Sequence, residues 1–127
     1  MTTPPIQNIA VIGLGTIGHS VAQVYAAAGC TVKCFDPDPT TGASLANRVR
    51  TNLKQMSAAG LSSPDDIENV VSRFVICDSE ADAVSGVGFV SEAAAEDLTI
   101  KQALFSRLEN HIDRDTILAS NTSTYPM

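Results

Sequence analysis

Short apolar runs alternate along the chain with stretches whose apolar positions fall at helical spacing. Asn8-Ile9-Ala10-Val11-Ile12 is β-branched, almost continuously apolar and followed by Gly13, the pattern of a parallel strand buried on both faces. From Thr16 to Ala28, Ile17, Val21, Val24 and Ala28 recur at intervals of four, three and four, one helical stripe with Gly29 as its stop. A second strand spans Thr31 to Phe35 and closes at Asp36; the turn Pro37-Asp38-Pro39 then leads into a helix whose Leu45, Val49, Leu53 and Met56 form a stripe ending at Gly60. Ser63-Pro64-Asp65-Asp66 supplies an N-cap, a first-position proline and an acidic third position. It predicts a further helix carrying Ile67, Val70, Val71 and Phe74, with a third strand over Arg73 to Cys77. Phe89 and Val90 centre a fourth strand from about Val87 to Glu92, Asp97 can cap the next helix with Ile100, Leu104 and Leu108 facing the core, and Thr116 to Ser120 makes a fifth strand. Strands and helices in alternation with short joints predict an α/β fold: a doubly wound parallel sheet with helices on both faces and right-handed crossovers. No repeat or linker interrupts it.

Composition narrows the class. The 127 residues include 44% hydrophobic and 17% charged residues, enough apolar surface for one folded domain and too little charge for a disordered tail. Eight Lys and Arg against 14 Asp and Glu give a net charge of −6, which argues against nucleic acid or an anionic membrane as partner, because both select basic faces. No run approaches the roughly 20 apolar residues of a membrane span, and Met1-Thr2-Thr3-Pro4-Pro5 lacks the basic and apolar regions of a signal peptide, so a cytoplasmic location is expected. Cys30, Cys34 and Cys77 are odd in number and match no metal-ligand spacing; reduced core thiols and no metal site are expected.

Candidate chemistry begins at Gly13-Leu14-Gly15-Thr16-Ile17-Gly18, which matches G-x-G-x-x-G between a predicted strand and helix. Asp36 follows 18 residues after Gly18, at the end of the second strand, where Rossmann-type dinucleotide folds carry an acid. Gly13 permits the tight turn, Gly15 lets the backbone approach a pyrophosphate, and Gly18 lets the helix pack close to the first strand. N–H groups at the helix head would meet the phosphate charge. Asp36 would accept hydrogen bonds from ribose hydroxyls and repel a 2′-phosphate; with Pro37, Asp38 and Pro39 following and no Arg nearby in sequence, NAD is favoured over NADP.

Glu92-Ala93-Ala94-Ala95-Glu96-Asp97-Leu98, Lys101 and Ala119-Ser120-Asn121-Thr122-Ser123 add a more specific pattern. With the glycine loop, these segments resemble the NAD-binding domain of the L-3-hydroxyacyl-CoA dehydrogenase family, from about Ile6 to the last residue. The resemblance implies oxidation of a 3-hydroxy to a 3-keto group by hydride transfer to NAD, within fatty acid metabolism. It implies that Glu96 and Lys101 lie beside the nicotinamide ribose and ring, and that Ser123 bonds the reacting substrate oxygen while touching the cofactor, supported by Asn121. Lys101 falls in a first helical turn, where a cation is disfavoured by the dipole, so a ligand role would account for it. Glu92 is open between support of the site and a structural hydrogen bond. His19 and His111 stand outside any matching context; the position of His111 near a helix C-terminus is explained by the dipole.

Two departures shape the expectation. The family's acid/base histidine and the glutamate that holds it lie beyond the S-N-T-S segment, as does its helical, dimerising domain. Residues 1–127 are therefore expected to be an N-terminal NAD-binding domain, truncated after about five strands, inactive alone and homo-oligomeric at full length. Acyl-CoA members also end the helix after strand 2 with lysines that meet coenzyme A, whereas here the stretch is Gln55-Met56-Ser57-Ala58-Ala59-Gly60, with the lysine position at or near Ala59. Free 3-hydroxy acids, as in the gulonate and carnitine 3-dehydrogenases, are thus alternative substrates. A non-catalytic NAD-binding module and a doubly wound domain without dinucleotide are the remaining alternatives.

Overall fold

In the computed structural model, the described residues are 7–61, 66–93, 98–112 and 116–120. The elements run β1 (Asn8–Ile12), α1 (Thr16–Ala27), β2 (Thr31–Phe35), α2 (Pro39–Ala58), α3 (Ile67–Val71), β3 (Phe74–Ile76), α4 (Glu80–Val84), β4 (Phe89–Glu92), α5 (Leu98–Glu109) and β5 (Ile117–Ser120). The five strands form one parallel sheet in the order β3-β2-β1-β4-β5. The chain winds outward from β1 to β3, crosses back, and continues through β4 to β5, so the direction of winding reverses between β1 and β4. That reversal opens a crevice at the carboxyl ends of the strands.

Alternation along β1 divides the core. Ile9 and Val11 join Val32, Cys34, Ala22, Ala26, Leu45, Val49 and Leu53 on the face covered by α1, α2 and α3. Ala10 and Ile12 join Val84, Val87, Val90, Leu104 and Leu108 on the face covered by α4 and α5. Every residue from Ile9 to Ile12 is at most 1% exposed, which is why β1 reads as an unbroken apolar run rather than an alternating one.

Helix α1 corrects the predicted stripe. Its buried residues are Gly18, Ala22 and Ala26, whereas Ile17 is 50% and Val24 64% exposed; Ala28 is exposed as well. The buried face is made of small residues because the head of α1 rests on the Gly13 backbone; Val21 packs against the rim of the core, and Ile17 and Val24 turn aside. Ile17, Val21, Val24 and Tyr25 line an apolar groove with Phe89. The stripe predicted for α2 holds, with Leu45, Val49 and Leu53 buried and Met56 packed against them. Asp38 caps this helix through its side chain, accepting from Thr40 N–H at 2.9 Å, with Pro39 in the first turn.

Phe74 belongs to β3 rather than to the preceding helix, which ends at Val71; burial of Val70 and Val71 completes that helix's contact before the chain extends. The capping residues expected at Ser63, Pro64, Asp65 and Asp97 lie outside the described residues, apart from Asp66, which is the N-cap of α3. Helix α4 has no counterpart in the sequence expectation. It is a single turn and a half, started by Ser79 Oγ accepting from Asp82 N–H at 3.1 Å. Among the described residues, β3 and β5 are the sheet edges, and Ile117 on β5 is 53% exposed. No helix among the described residues is long and apolar enough to cross a membrane.

Candidate functional site

The register aligns the strand ends: Ile12 pairs with both Phe35 and Glu92, and Glu92 pairs with Ser120. β1, β2, β4 and β5 therefore all finish at one end of the sheet. After β1 comes the glycine loop. Gly13 takes φ of +93°, a region L side chains rarely adopt, and its N–H donates to Phe35 O at 2.8 Å, so the turn is fastened to the end of β2.

Gly18 and Gly15 play opposite parts. A Cβ on Gly18 would stand 1.7 Å from Gly13 O and 2.7 Å from Gly13 C, so the first turn of α1 rests directly on the backbone of the loop. A Cβ on Gly15 would meet nothing within 4 Å. Gly15 is the N-cap of α1, no side chain caps the helix, and its first turn holds no acid. The positive end of the helix dipole, with its N–H groups at residues such as Thr16 and Ile17, is thus offered to the crevice rather than neutralised by the chain, the arrangement that suits a phosphate.

Asp36 joins this loop to β2. Its Oδ2 accepts from Leu14 N–H at 2.8 Å and its Oδ1 from Asp38 N–H at 2.8 Å. A carboxylate has about four lone-pair sites, so two bonds to backbone leave acceptor capacity for hydroxyl donors. A cavity of about 440 Å³ opens beside it, lined by Phe35, Asp36, Pro37, Gly42, Cys77 and Asp78 among others. The Leu14–Asp36 bond joins the loop to the acid at the carboxyl end of the sheet, with an open helix head that suits a pyrophosphate and acceptor capacity on the carboxylate that suits a ribose.

Arg48 is the functional candidate that sequence reasoning missed. No Arg stands near Asp36 in sequence, but α2 carries Arg48 back to the loop, where Nη2 donates to Leu14 O at 2.6 Å. Its backbone partners lie 34 and 7 positions away, at Leu14 and Thr41, and the local sequence shows only a cation between the buried Leu45 and Val49.

Glu92 is fully buried at the end of β4. His19 sits at the loop's edge: its Nδ1 lies 2.9 Å from Gly15 O and its Nε2 3.2 Å from Asn52 Nδ2. Because the carbonyl can only accept, Nδ1 carries the proton and Nε2 accepts from the Asn52 amide. His111 is exposed after the end of α5. Glu96, Asn121 and Ser123 lie outside the described residues; Lys101 is in α5, with its side chain outside them. Cys34 is buried and burial pushes its thiol up to about 12, with the Cys77 thiol adding to the rise. Cys77 is half-buried and also raised, chiefly by burial. Among the described residues, no cluster of three or more His, Cys, Asp or Glu could hold a metal ion.

Comparison with known proteins gives a consistent result. A family profile described as "3-hydroxyacyl-CoA dehydrogenase, NAD binding domain" matches residues 8–127. The chain is 31% identical over 122 residues to a probable 3-hydroxybutyryl-CoA dehydrogenase of Bacillus subtilis, covering 96% of this chain and 42% of that protein. It is 34% identical over 122 residues to 5-formyl-3-hydroxy-2-methylpyridine 4-carboxylate 5-dehydrogenase of Mesorhizobium japonicum, covering 96% and 38%. Among solved structures, M. tuberculosis FadB2 superposes with a TM-score of 0.89 at 31% identity, covering 97% of this chain and 43% of that one. The chain thus spans about two-fifths of the length of the relatives it matches.

Proposed function

The chain belongs to the family of 3-hydroxyacyl-CoA dehydrogenase NAD-binding domains, and from that premise we propose that it is the cofactor-binding portion of an oxidoreductase interconverting an L-3-hydroxyacyl substrate and its 3-keto form. The observation that carries this reading is the bond from Leu14 N–H to Asp36 Oδ2, which ties the glycine loop to the acid at the reversal point of the sheet. NAD, when bound, supplies the hydride acceptor. Gly13, Leu14, Gly15, Thr16, Ile17 and Gly18 cradle its pyrophosphate, and Asp36 accepts from its adenosine ribose and repels a 2′-phosphate.

Glu96 and Lys101 are assigned to the nicotinamide end, and Asn121 and Ser123 to the reacting substrate oxygen, with Ser123 also touching the cofactor. The strand register supports this assignment, because β4 finishes at Glu92 and β5 at Ser120, at the same end of the sheet as β1. The acid/base is not supplied by His19, whose two ring nitrogens are engaged by Gly15 O and Asn52, nor by His111 beyond α5. The part of the reaction assigned to this chain is accordingly the binding of NAD. A cytoplasmic location, a role in fatty acid metabolism and homo-oligomerisation of the whole protein complete the proposal.

A second reading concerns the acyl carrier. The last turn of α2 holds no basic residue and the exposed Ala59 follows as its C-cap, so this helix end offers no cation to the phosphates of coenzyme A. That favours a free 3-hydroxy acid over a coenzyme A thioester, and a relative is likewise named for a free carboxylate, although one that is dehydrogenated at a different kind of carbon. The test is kcat/KM of the protein carrying this domain on acetoacetyl-CoA against free acetoacetate, gulonate and carnitine, followed through NADH. NAD-linked turnover of at least one supports the proposal, and turnover of none refutes it. A strong preference for the thioester eliminates the free-acid reading.

A further inference from the structure

Ser44, Arg48, Asn52 and Met56 follow one another at intervals of four along α2, so they form one stripe, adjoining the buried stripe of Leu45, Val49 and Leu53. That stripe faces the glycine loop and α1. Arg48 Nη2 donates to Leu14 O at 2.6 Å and to Thr41 O at 3.1 Å, while Nε donates to Ser44 Oγ at 3.0 Å. A guanidinium carries its donors in a rigid plane, so three oxygens contributed by the loop and by α2 fix its orientation. One helical turn on, Asn52 bonds the His19 ring that holds Gly15 O, and also donates to Gln23 Oε1 at 3.0 Å.

Leu14 is therefore held on both sides, its N–H by the Asp36 carboxylate and its carbonyl by Arg48. The peptide that follows is trans. In a trans peptide the carbonyl and the next N–H point in opposite directions. Fixing Leu14 O towards α2 turns the Gly15 N–H away from α2 and sets the first of the N–H groups at the head of α1.

We propose that Arg48 is a positioning residue of the cofactor site: by gripping the Leu14 carbonyl from α2, it orients the Leu14–Gly15 peptide and presents the loop to the pyrophosphate of NAD. The inference rests on the NAD-binding reading above. It requires no contact between Arg48 and the cofactor, because Arg48 acts through the loop.

The test is titration calorimetry of NAD together with amide hydrogen exchange by NMR, on the chain and on its Arg48→Met and Arg48→Lys variants. Arg48→Met is expected to weaken NAD about tenfold, the effect of losing one charge-assisted hydrogen bond. Without cofactor, the Leu14 amide is expected to exchange about tenfold faster relative to Val11 on β1, a local loss that a purely structural role would spread over both amides. Arg48→Lys keeps the charge, loses the fork and falls between. Failure of the unsubstituted chain to bind NAD sinks the functional reading. Binding by that chain with Arg48→Met within twofold of it, or Leu14 protection falling only in step with Val11, sinks this inference alone. If Arg48→Met does not fold, the Leu14 to Val11 ratio in Arg48→Lys decides: an unchanged ratio overturns the proposal.

Discussion

Substituting alanine at Gly18 and at Gly15 separates the two jobs of the glycine loop. At Gly18 the new Cβ would fall 1.7 Å from Gly13 O and 2.7 Å from Gly13 C, both backbone atoms that cannot swing aside as a side chain would. Reaching even 3 Å requires the head of α1 and the loop to part by about 1.3 Å. That movement loosens the packing of Ala22 and Ala26 against the sheet and strains the fastening of Gly13 N–H to Phe35 O. Overpacking of a tight core costs about 1–3 kcal/mol, and a backbone clash belongs at the upper end, about 3 kcal/mol. For a chain of this size that lowers Tm by about 12 °C, at about 4 °C per kcal/mol. At Gly15 the Cβ meets nothing and φ is −72°, so Gly15→Ala should cost under about 1 kcal/mol, the difference between glycine and alanine at an N-cap. It would nevertheless fill the space a pyrophosphate approaches and weaken NAD by more than about tenfold. Thermal unfolding by circular dichroism and calorimetric titration of NAD read the two effects separately. A Tm for Gly18→Ala within about 3 °C of the unsubstituted chain, or a Gly15→Ala variant equally destabilised, would refute the reasoning.

Further expectations concern the core and its chemistry. Ile17→Ser and Val24→Ser, on the exposed side of α1, should change urea-unfolding stability by under about 1 kcal/mol, whereas Leu108→Ala, at a fully buried position, should cost about 2–5 kcal/mol; comparable losses at all three would restore the original stripe. Cys34 should resist thiol-specific reagents at neutral pH until the chain unfolds, because its folded thiol titrates near 12 against an ordinary 9. The neutral thiol is the form the fold favours, so this contribution to stability is complete below pH 9 and is lost as pH rises from about 9 to 12. Urea unfolding across that range, compared with Cys34→Ala, should show a steeper loss for the unsubstituted chain, and parallel curves would contradict it.

What could be read from residues alone followed the physics that dominates each position. β1, β2 and the core face of α2 are determined by apolar burial, and burial is what periodicity detects. Ile17 and Val24 outrank Gly18 and Ala22 in hydrophobicity, which is why the face of α1 is not legible from apolar spacing, whereas the contact of its first turn with the Gly13 backbone requires glycine at position 18. α4 escaped because five residues cannot establish a helical period, although Ser79 three residues before Asp82 marks its start. Phe74 fits a helical spacing and a strand equally well, and only pairing of the extended chain with Val32 decides between them. The loop glycines and Asp36 were legible because each performs a local backbone task at fixed spacing. Arg48 was not, because its task joins α2 to a loop 34 positions earlier.

Calorimetric titration of the 127-residue chain with NAD and NADP, repeated on Asp36→Ala, shows whether the glycine loop and Asp36 bind NAD. NAD should bind more tightly than NADP, and the substitution should narrow the gap, because the carboxylate both accepts from the ribose and repels a 2′-phosphate. No binding of NAD at millimolar concentration, or equal affinity of the unsubstituted chain for the two cofactors, would contradict that expectation.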